Sequence, residues 1–262
     1  MSDRSKIEWT DATWNPVTGC TKVSPACANC YAERFAERFR GVPGHPYEQG
    51  FDLKLWPERL TLPLHWKQPR TIFVNSMSDL FHPDVSDGFI KRVFDVMTQS
   101  KHHIFQVLTK RSERMVAWVQ SNFSSDSNGN GKPTWPSHIW LGVSVENENY
   151  TWRIQHLQGS PAHMRYLSIE PLLGPISLNA NLLENIQWVI VGGESGPRAR
   201  PMKPEWVYHI RQQCERYQVP FFFKQWGAYD QSGRRVGKKR AGRILNGKTW
   251  DAIPTFPSVA CK

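Results

Sequence analysis

Short apolar runs that alternate with helical patterns constrain the fold of this 262-residue chain more than any other feature. There are six such runs: Thr71–Asn75, His103–Leu108, Ile139–Val145, Arg165–Ile169, Gln187–Val191 and Val219–Phe223. They are rich in β-branched and aromatic residues, which is typical of strands buried on both faces of a sheet.

Helical patterns lie between several of these runs. The clearest are Ser86–Ser100, Ser112–Gln120 and Pro204–Tyr217. Because strands that alternate with helices form parallel sheets, the sequence predicts an α/β fold, a partial or complete parallel (β/α) barrel of TIM type. We expect one domain over residues 1–262, with a basic C-terminal extension at about 227–262. The polar stretch Ser124–Lys132 predicts a flexible surface loop.

Polar residues follow every one of the six apolar runs. Ligand sites in parallel α/β folds form at the carboxyl ends of the strands, so we expect these residues to share one site. Turn chemistry explains Asn, Ser and Gly at some ends, but it explains poorly a charged residue at all six. Arginines beyond the fifth run match carboxylates or phosphates. The candidates for contacting a substrate are Lys110, Arg111, Glu170, Arg198, Arg200, Lys224 and Trp226.

Three of the five cysteines, Cys20, Cys27 and Cys30, form an N-terminal cluster directly before the helical run Tyr31–Arg40. The N-terminus has no apolar leader typical of a signal peptide, and no stretch approaches the length of a membrane span. We therefore expect a cytoplasmic protein. In that reducing compartment, clustered cysteines bind metal more often than they form disulfides.

Two kinds of metal centre suit this cysteine cluster. Three thiolates can hold a four-iron, four-sulfur (4Fe–4S) cluster and leave one iron open to a substrate or cosubstrate. Zinc is the competitor, because it favours sites with three Cys and one His, and His45 is available as a fourth ligand. Three thiols that merely pack together fit so tight a cluster poorly.

The charge of the chain favours an anionic partner. Its formal net charge is +10, and its 12 tryptophans offer either core packing or stacking surfaces. The Gly-rich stretch 232–243 predicts a mobile basic arm or hairpin that contacts phosphates, with a solvated surface as the alternative. The cations of this arm are Arg234, Arg235, Lys238, Lys239, Arg240 and Arg243. A nucleic acid or a nucleotide is the expected partner.

Motifs along almost the whole chain resemble known proteins. A family of phage and bacterial proteins named for its three-cysteine motif has segments similar to TWNPVTGC, CANCYAERFAER, NSMSDLFH, GVSVEN, SIEPLLGP, VGGESGPRARPM and FKQWG. The three-cysteine loop ahead of a helix also resembles the radical S-adenosylmethionine superfamily, in which spore photoproduct lyase, a DNA-repair enzyme, looks like a distant relative. The usual spacing there is C-x3-C-x2-C, whereas six residues separate Cys20 from Cys27, and Asn29 stands where an aromatic residue is common.

The superfamily resemblance implies both cofactors and a site. Its members hold a 4Fe–4S cluster on three cysteines, and the open iron binds S-adenosylmethionine. An electron, from a flavodoxin- or ferredoxin-type donor, then gives a 5′-deoxyadenosyl radical that abstracts hydrogen from the substrate. By position, the residues implied to bind S-adenosylmethionine are Ser76, Ser78 and Asp79 for the amino group, Ser144 and Glu146 for the ribose, and Gly192, Gly193, Glu194 and Ser195 near the adenine.

The residues and the resemblance predict a radical S-adenosylmethionine enzyme that modifies or repairs a nucleic acid or nucleotide. One alternative is a zinc- or iron–sulfur-containing nucleic-acid-binding protein without catalysis. The other is a radical enzyme that acts on a peptide or small metabolite. The positive charge favours a nucleic acid over a small metabolite only modestly.

Overall fold

A curled parallel sheet organises the protein in the computed structural model, which describes residue 5, residues 7–124 and residues 131–254. The strands within these residues are β1 (Ala12–Trp14), β2 (Val17–Thr18), β3 (Lys54–Leu55), β4 (Thr71–Val74), β5 (Ile104–Thr109), β6 (Ile139–Ser144), β7 (Arg165–Ile169), β8 (Trp188–Gly192) and β9 (Phe221–Gln225). Seven of these described strands form one sheet in the order β1-β4-β5-β6-β7-β8-β9, and every neighbouring pair is parallel. The sheet is therefore a partial TIM-type barrel.

Side-chain alternation divides this sheet into an inner and an outer face. Aromatic side chains fill the interior of the half-barrel, so it has a packed floor rather than a channel. The inner cluster consists of Trp9, Phe73, Trp140, Met164, Tyr166, Trp188, Ile190 and Phe222. Residues of the opposite parity, such as Ile72, Val107 and Leu167, belong to the larger core between the sheet and the helices.

Helices lie between and beyond the strands. Within the described residues they are α1 (Tyr31–Ala36), α2 (Asp87–Gln99), α3 (Ser112–Asn122), α4 (Trp152–Gln158), α5 (Ala180–Leu183), α6 (Pro204–Arg216) and α7 (Lys238–Ala241). Helices α2 to α6 bury side chains in the larger core and so cover the outer face of the sheet. Helix α2 begins after Ser86, whose hydroxyl accepts a hydrogen bond from the Phe89 amide at 3.3 Å. Its apolar residues Ile90, Val93 and Met97 recur at helical spacing and are fully buried.

The sequence predicted a partial or complete parallel α/β barrel, and the fold is confirmed as a partial one. All six apolar runs form strands of the sheet within one or two residues of the expected bounds. Strand β1 is the addition: three residues were too short a run to stand out. Six residues of the loop predicted at Ser124–Lys132, and also Cys261, lie outside the described residues. Among the described helices, none is long and apolar enough to cross a membrane.

Candidate functional site

A cavity of about 460 Å³ lies at the carboxyl edge of the parallel sheet. Residues at or just after the ends of all six strands from β4 to β9 line it. They are Asn75, Ser76, Ser78, Asp79, Thr109, Lys110, Arg111, Ser144, Ser168, Glu170, Gly193, Glu194, Ser195, Lys224 and Gln225. The ends of the six strands that the sequence predicted, each followed by polar residues, thus lie around one cavity.

The period of the strands explains how several polar side chains reach this cavity. Ser168 comes two residues after Tyr166 on β7, and Lys224 comes two residues after Phe222 on β9, so each points to the inner face. Ser144 is paired in register with Ser168. The inner face is therefore aromatic at its floor and polar at its carboxyl edge.

The Cys20–Cys30 loop covers this edge, and its entry is fixed by Gly19. Gly19 has a φ of +83°, and a Cβ there would lie 2.2 Å from the Asp52 carbonyl oxygen, so only glycine fits. The backbone amides of Gly19 and Cys20 donate to the carbonyls of Met77 and Phe51, at 3.0 and 3.2 Å. The loop continues through a 3-10 turn, Pro25–Cys27, and α1 begins directly after Cys30.

All three cysteine side chains line the cavity as free, partly buried thiols. In the described part of the chain, no three His, Cys, Asp or Glu side chains are arranged to hold a single metal ion. Burial raises the pKa of the Cys20 thiol; Asp79 raises it further, and Arg111 opposes both. Burial likewise raises the pKa of Cys30. The thiols of Cys20 and Cys30 are therefore protonated at neutral pH, which makes them poor nucleophiles and means that metal binding by them must release protons.

Arg111 connects the end of β5 to the start of the cysteine loop. Its Nη1 donates to the Cys20 Sγ at 3.3 Å and to the Asp79 Oδ2 at 3.0 Å. Its Nη2 donates to the Thr21 carbonyl and hydroxyl at 3.0 and 2.9 Å. The Asp79 carboxylate also accepts from the Thr109 hydroxyl and from the amides of Phe81 and Lys110. Asp79 is therefore fully hydrogen-bonded by the protein.

Glu194 makes the corresponding connection from β8. Its carboxylate accepts from the Asn29 side chain at 3.0 Å and from the Arg200 amide and Nε at 2.8 and 2.9 Å. Arg200 Nη2 also donates to Glu194 Oε1 at 2.5 Å and to the Pro25 carbonyl at 3.0 Å. Burial raises the pKa of Glu194, but the hydrogen bonds from Arg200 and Asn29 lower it by more, so this pKa lies below its usual value. The cysteine loop is thus fixed on two sides.

Most of the remaining cations of the cavity are paired with carboxylates. Lys224 lies 3.1 Å from Glu170, Lys22 lies 3.0 Å from Glu33, and Lys238 lies 3.3 Å from Glu8. Lys110 differs: its ammonium donates to the Ser144 hydroxyl at 3.2 Å and makes no ion pair with any described residue. An anionic group of a ligand is the natural partner for it.

Some residues expected at the shared site lie elsewhere. Glu146 is buried behind the cavity in an ion pair with Arg153, at 2.8 Å. Trp226 packs into the core, with its ring 5.0 Å from that of Phe223. Gly192, Arg198 and Arg200 do not line the cavity either, although Arg200 orients Glu194. His45 stacks on Phe39 at 3.8 Å and lies away from the cavity, so it is not placed as a fourth zinc ligand.

The basic arm is partly built into the structure. Arg243 pairs with Asp251, and Arg235 donates to the carbonyls of Gly196 and Pro197. Lys238, at the start of α7, lines the cavity beside Glu8. Arg234 is 3.4 Å from Asp230 but remains exposed. Lys239 and Arg240 have no ion pair with described residues, so the arm offers fewer free cations than its sequence suggested.

Sequence reasoning missed the apolar wall of the cavity, which consists of Ile7, Trp9, Phe73 and Leu108. Phe73 and Leu108 were within predicted strands, and their parity relative to the polar ends would have placed them inward. Trp9 had no such signal, because it precedes β1; its ring packs 4.8 Å from that of Phe73. Tyr31 was also missed, although it follows Cys30 directly; its hydroxyl donates to the Ser76 carbonyl.

The fold and the cavity define a parallel α/β half-barrel protein with a three-cysteine loop over the carboxyl edge of its sheet. The chain belongs to the family described as Protein of unknown function (DUF5131), whose profile matches residues 4–254. No curated protein matches the chain in sequence.

Solved structures of spore photoproduct lyase are similar in fold. A cysteine-to-serine mutant of that enzyme superposes with a TM-score of 0.51 at 11% identity, and the match covers 85% of this chain and 78% of that chain. The enzyme complexed with dinucleoside spore photoproduct gives a TM-score of 0.40 at 11% identity, covering 83% of this chain and 64% of the other. Likeness at this identity establishes a shared fold and nothing about chemistry.

Proposed function

We propose that this protein is a radical S-adenosylmethionine enzyme that holds a 4Fe–4S cluster on Cys20, Cys27 and Cys30 and modifies or repairs a nucleic acid or nucleotide. When bound, the reduced cluster and S-adenosylmethionine supply a 5′-deoxyadenosyl radical as the hydrogen-abstracting agent. The observation that carries the proposal is the meeting of three cysteines with all six strand ends around one cavity.

The donor set fits a multi-iron cluster. Cys20, Cys27 and Cys30 offer three soft sulfur ligands around one cavity, and a 4Fe–4S cluster can be held by three thiolates that leave the fourth iron open. A structural zinc site takes four protein ligands, and His45, the fourth ligand considered, stacks on Phe39 away from the cavity. The set of three ligands therefore favours the cluster over zinc.

Ser76 and Ser78 suit a ligand ammonium group. The Ser76 hydroxyl donates to the Asn15 side chain at 3.2 Å, and the Ser78 hydroxyl donates to the Val17 carbonyl at 2.8 Å. Each hydroxyl proton is used inside the protein, so the oxygen lone pairs are left to accept hydrogen bonds from a ligand. Asp79 adds negative charge behind them, although its own acceptor positions are filled.

Lys110 and Ser144 suit an anionic or hydroxyl-bearing group. The ammonium of Lys110 has no carboxylate partner in the described chain, and it contacts Ser144 on the next strand. A nucleotide carries phosphate and ribose hydroxyls that match this pair. The apolar wall beside it, including Trp9 and Phe73, excludes water from the same space and offers a flat surface to a heterocyclic base.

The small-metabolite alternative keeps one observation in its favour. The cavity volume of about 460 Å³ lies within the range of ordinary small-molecule sites. A base extruded from a nucleic acid or a free nucleotide also fits a cavity of this size, whereas an intact duplex does not.

Metal analysis of anaerobically purified and reconstituted protein tests the proposal. The expected result is about four irons and as many sulfides per chain, as a cubane cluster requires. Cys20→Ala, Cys27→Ala and Cys30→Ala should each abolish iron retention. Cys214→Ala is the matched control, because Cys214 is buried within α6 and does not line the cavity. Stoichiometric zinc without sulfide would reject the cluster.

A further inference from the structure

We propose that Arg111 is a positioning residue for the iron–sulfur cluster: it donates a hydrogen bond to the Cys20 sulfur and raises the reduction potential of the cluster. The inference rests on the proposed function and assigns Arg111 a role other than the substrate contact expected from its sequence position. Of the three loop cysteines in the described chain, Cys20 accepts a hydrogen bond from a charged side chain, that of Arg111.

The position of Arg111 is fixed by four hydrogen bonds. Both terminal nitrogens of the guanidinium are occupied, Nη1 by Cys20 and Asp79 and Nη2 by two oxygens of Thr21. Its side chain is 9% exposed and that of Asp79 is 8% exposed. A substrate would have to displace these bonds to reach the guanidinium, so a contact directed at Cys20 is the role that the geometry supports.

A network behind Arg111 holds two of its three partners, Asp79 and Thr21. Asp79 accepts from the Thr109 hydroxyl at 2.7 Å and from the Phe81 amide at 3.0 Å. The Thr21 hydroxyl lies 2.8 Å from His82 Nε2, and His82 is almost fully buried. Asp79 cannot move away without breaking buried hydrogen bonds, and Thr21 cannot do so without breaking a partly buried one, so the Nη1–Cys20 contact is preorganised.

The direction of the effect on potential follows from charge. Reduction adds one electron to a cluster whose three thiolates already make the centre anionic, and no bond forms or breaks. A hydrogen bond to a ligating sulfur and a nearby cation both stabilise the more negative, reduced state. Removing Arg111 also leaves the buried Asp79 carboxylate without its cation, which opposes reduction further. Loss of Arg111 should therefore lower the potential.

The experiment compares the full-length, reconstituted wild-type protein with Arg111→Gln and Arg111→Lys. Iron and sulfide are measured first, and each sample is then titrated anaerobically with dithionite and redox mediators while the EPR signal of the reduced cluster is followed. Arg111→Gln should reduce the equilibrium constant for one-electron uptake at least tenfold, which is about 59 mV. Arg111→Lys keeps the charge but loses the fork, so it should shift the potential in the same direction by less. The control is Arg38→Gln, because Arg38 is exposed beyond α1 and has no ion pair with described residues; its potential should equal that of wild type.

The outcomes separate the two claims. A wild-type protein that takes up no iron and sulfide would sink the proposed function and this inference with it. A loaded wild-type protein whose Arg111 variants load equally and keep its potential would overturn the inference alone. Loss of the cluster from both variants, with retention in Arg38→Gln, would also overturn it, because a purely structural role would then explain Arg111.

Discussion

Replacing Glu194 tests whether the cysteine loop is held in place by the protein before any metal binds. The Glu194 side chain is 5% exposed and accepts four hydrogen bonds, three from Arg200 and one from Asn29. Asn29 lies between Cys27 and Cys30, and Arg200 also reaches the Pro25 carbonyl. Removing the carboxylate therefore weakens the attachment of the loop to the segment after β8, where the hydrogen bond from Asn29 to the Arg198 carbonyl remains, and it leaves a partly buried guanidinium without its carboxylate.

The size of the effect follows from burial on each side of the pair. Breaking a fully buried ion pair costs about 3–5 kcal/mol, but Arg200 is 35% exposed and water screens part of its charge. We therefore expect Glu194→Ala to lower the free energy of unfolding by about 2–3 kcal/mol, and Glu194→Gln by about 1–2 kcal/mol, since the amide still accepts one or two hydrogen bonds.

The pH dependence carries a definite sign. The pKa of Glu194 is below its usual value in the folded protein, so the folded state binds this proton less readily than the unfolded chain. The stabilisation is thus fully present above the unfolded pKa of about 4.3 and is lost as the pH falls through the folded pKa. The stability gap between wild type and Glu194→Gln should be largest at neutral pH and should shrink below about pH 4.

Urea unfolding of the apo-protein at several pH values measures this gap, and iron retention after reconstitution gives a second readout. Glu184→Gln is the control, because Glu184 is exposed and makes no ion pair within the described residues. Equal stability of Glu194→Gln and wild type at pH 7, or a gap that widens on acidification, would refute the reasoning.

Three further predictions concern other parts of the molecule. Gly193→Ala would place a Cβ 2.0 Å from the Trp226 carbonyl oxygen, so it should cost about 1–3 kcal/mol in urea unfolding; Gly88→Ala, with nothing within 4 Å, should be neutral or stabilise by up to about 1 kcal/mol. Cys214→Ala should keep the full iron content in a colorimetric assay, and a loss would make that buried thiol a ligand. If three arm cations contact phosphates, the affinity for single-stranded nucleic acid should fall with salt concentration with a log–log slope of about −2 to −3. Replacing Arg234, Lys239 and Arg240 with glutamine should flatten this slope, and an unchanged slope would show that the arm does not contact the phosphates.

The fold was largely predictable because buried parallel strands leave a strong local signal. The six runs between Thr71 and Phe223 are apolar, short and separated by helical patterns. These local patterns were enough to predict six strands and their parallel arrangement. Strand β1 escaped because three residues carry too little periodicity, and its pairing with β4 joins segments 60 residues apart. The curl of the sheet follows from strand twist, but no single segment of the sequence indicates that the described strands form a partial rather than a closed barrel.

The candidate site was predictable in composition but not in partnership. Asp79, Arg111 and Glu194 were all identified as polar strand-end residues, yet nothing local indicated that Asp79 pairs with Arg111, 32 residues away, or that Glu194 holds Asn29. Glu146 illustrates the converse error. Glu146 follows β6 at the position that Glu170 occupies after β7. Glu146 is buried in an ion pair with Arg153 of α4, so two equivalent sequence positions have different exposures.

Cleavage of S-adenosylmethionine by the reduced, cluster-loaded protein is the most direct measurement of the central claim. With dithionite as reductant, the wild-type protein should form 5′-deoxyadenosine in a cluster-dependent manner, detected by chromatography and mass spectrometry, and Cys27→Ala should form none. A protein that carries four irons and four sulfides per chain, is fully reduced, and neither binds S-adenosylmethionine nor forms 5′-deoxyadenosine would contradict the account.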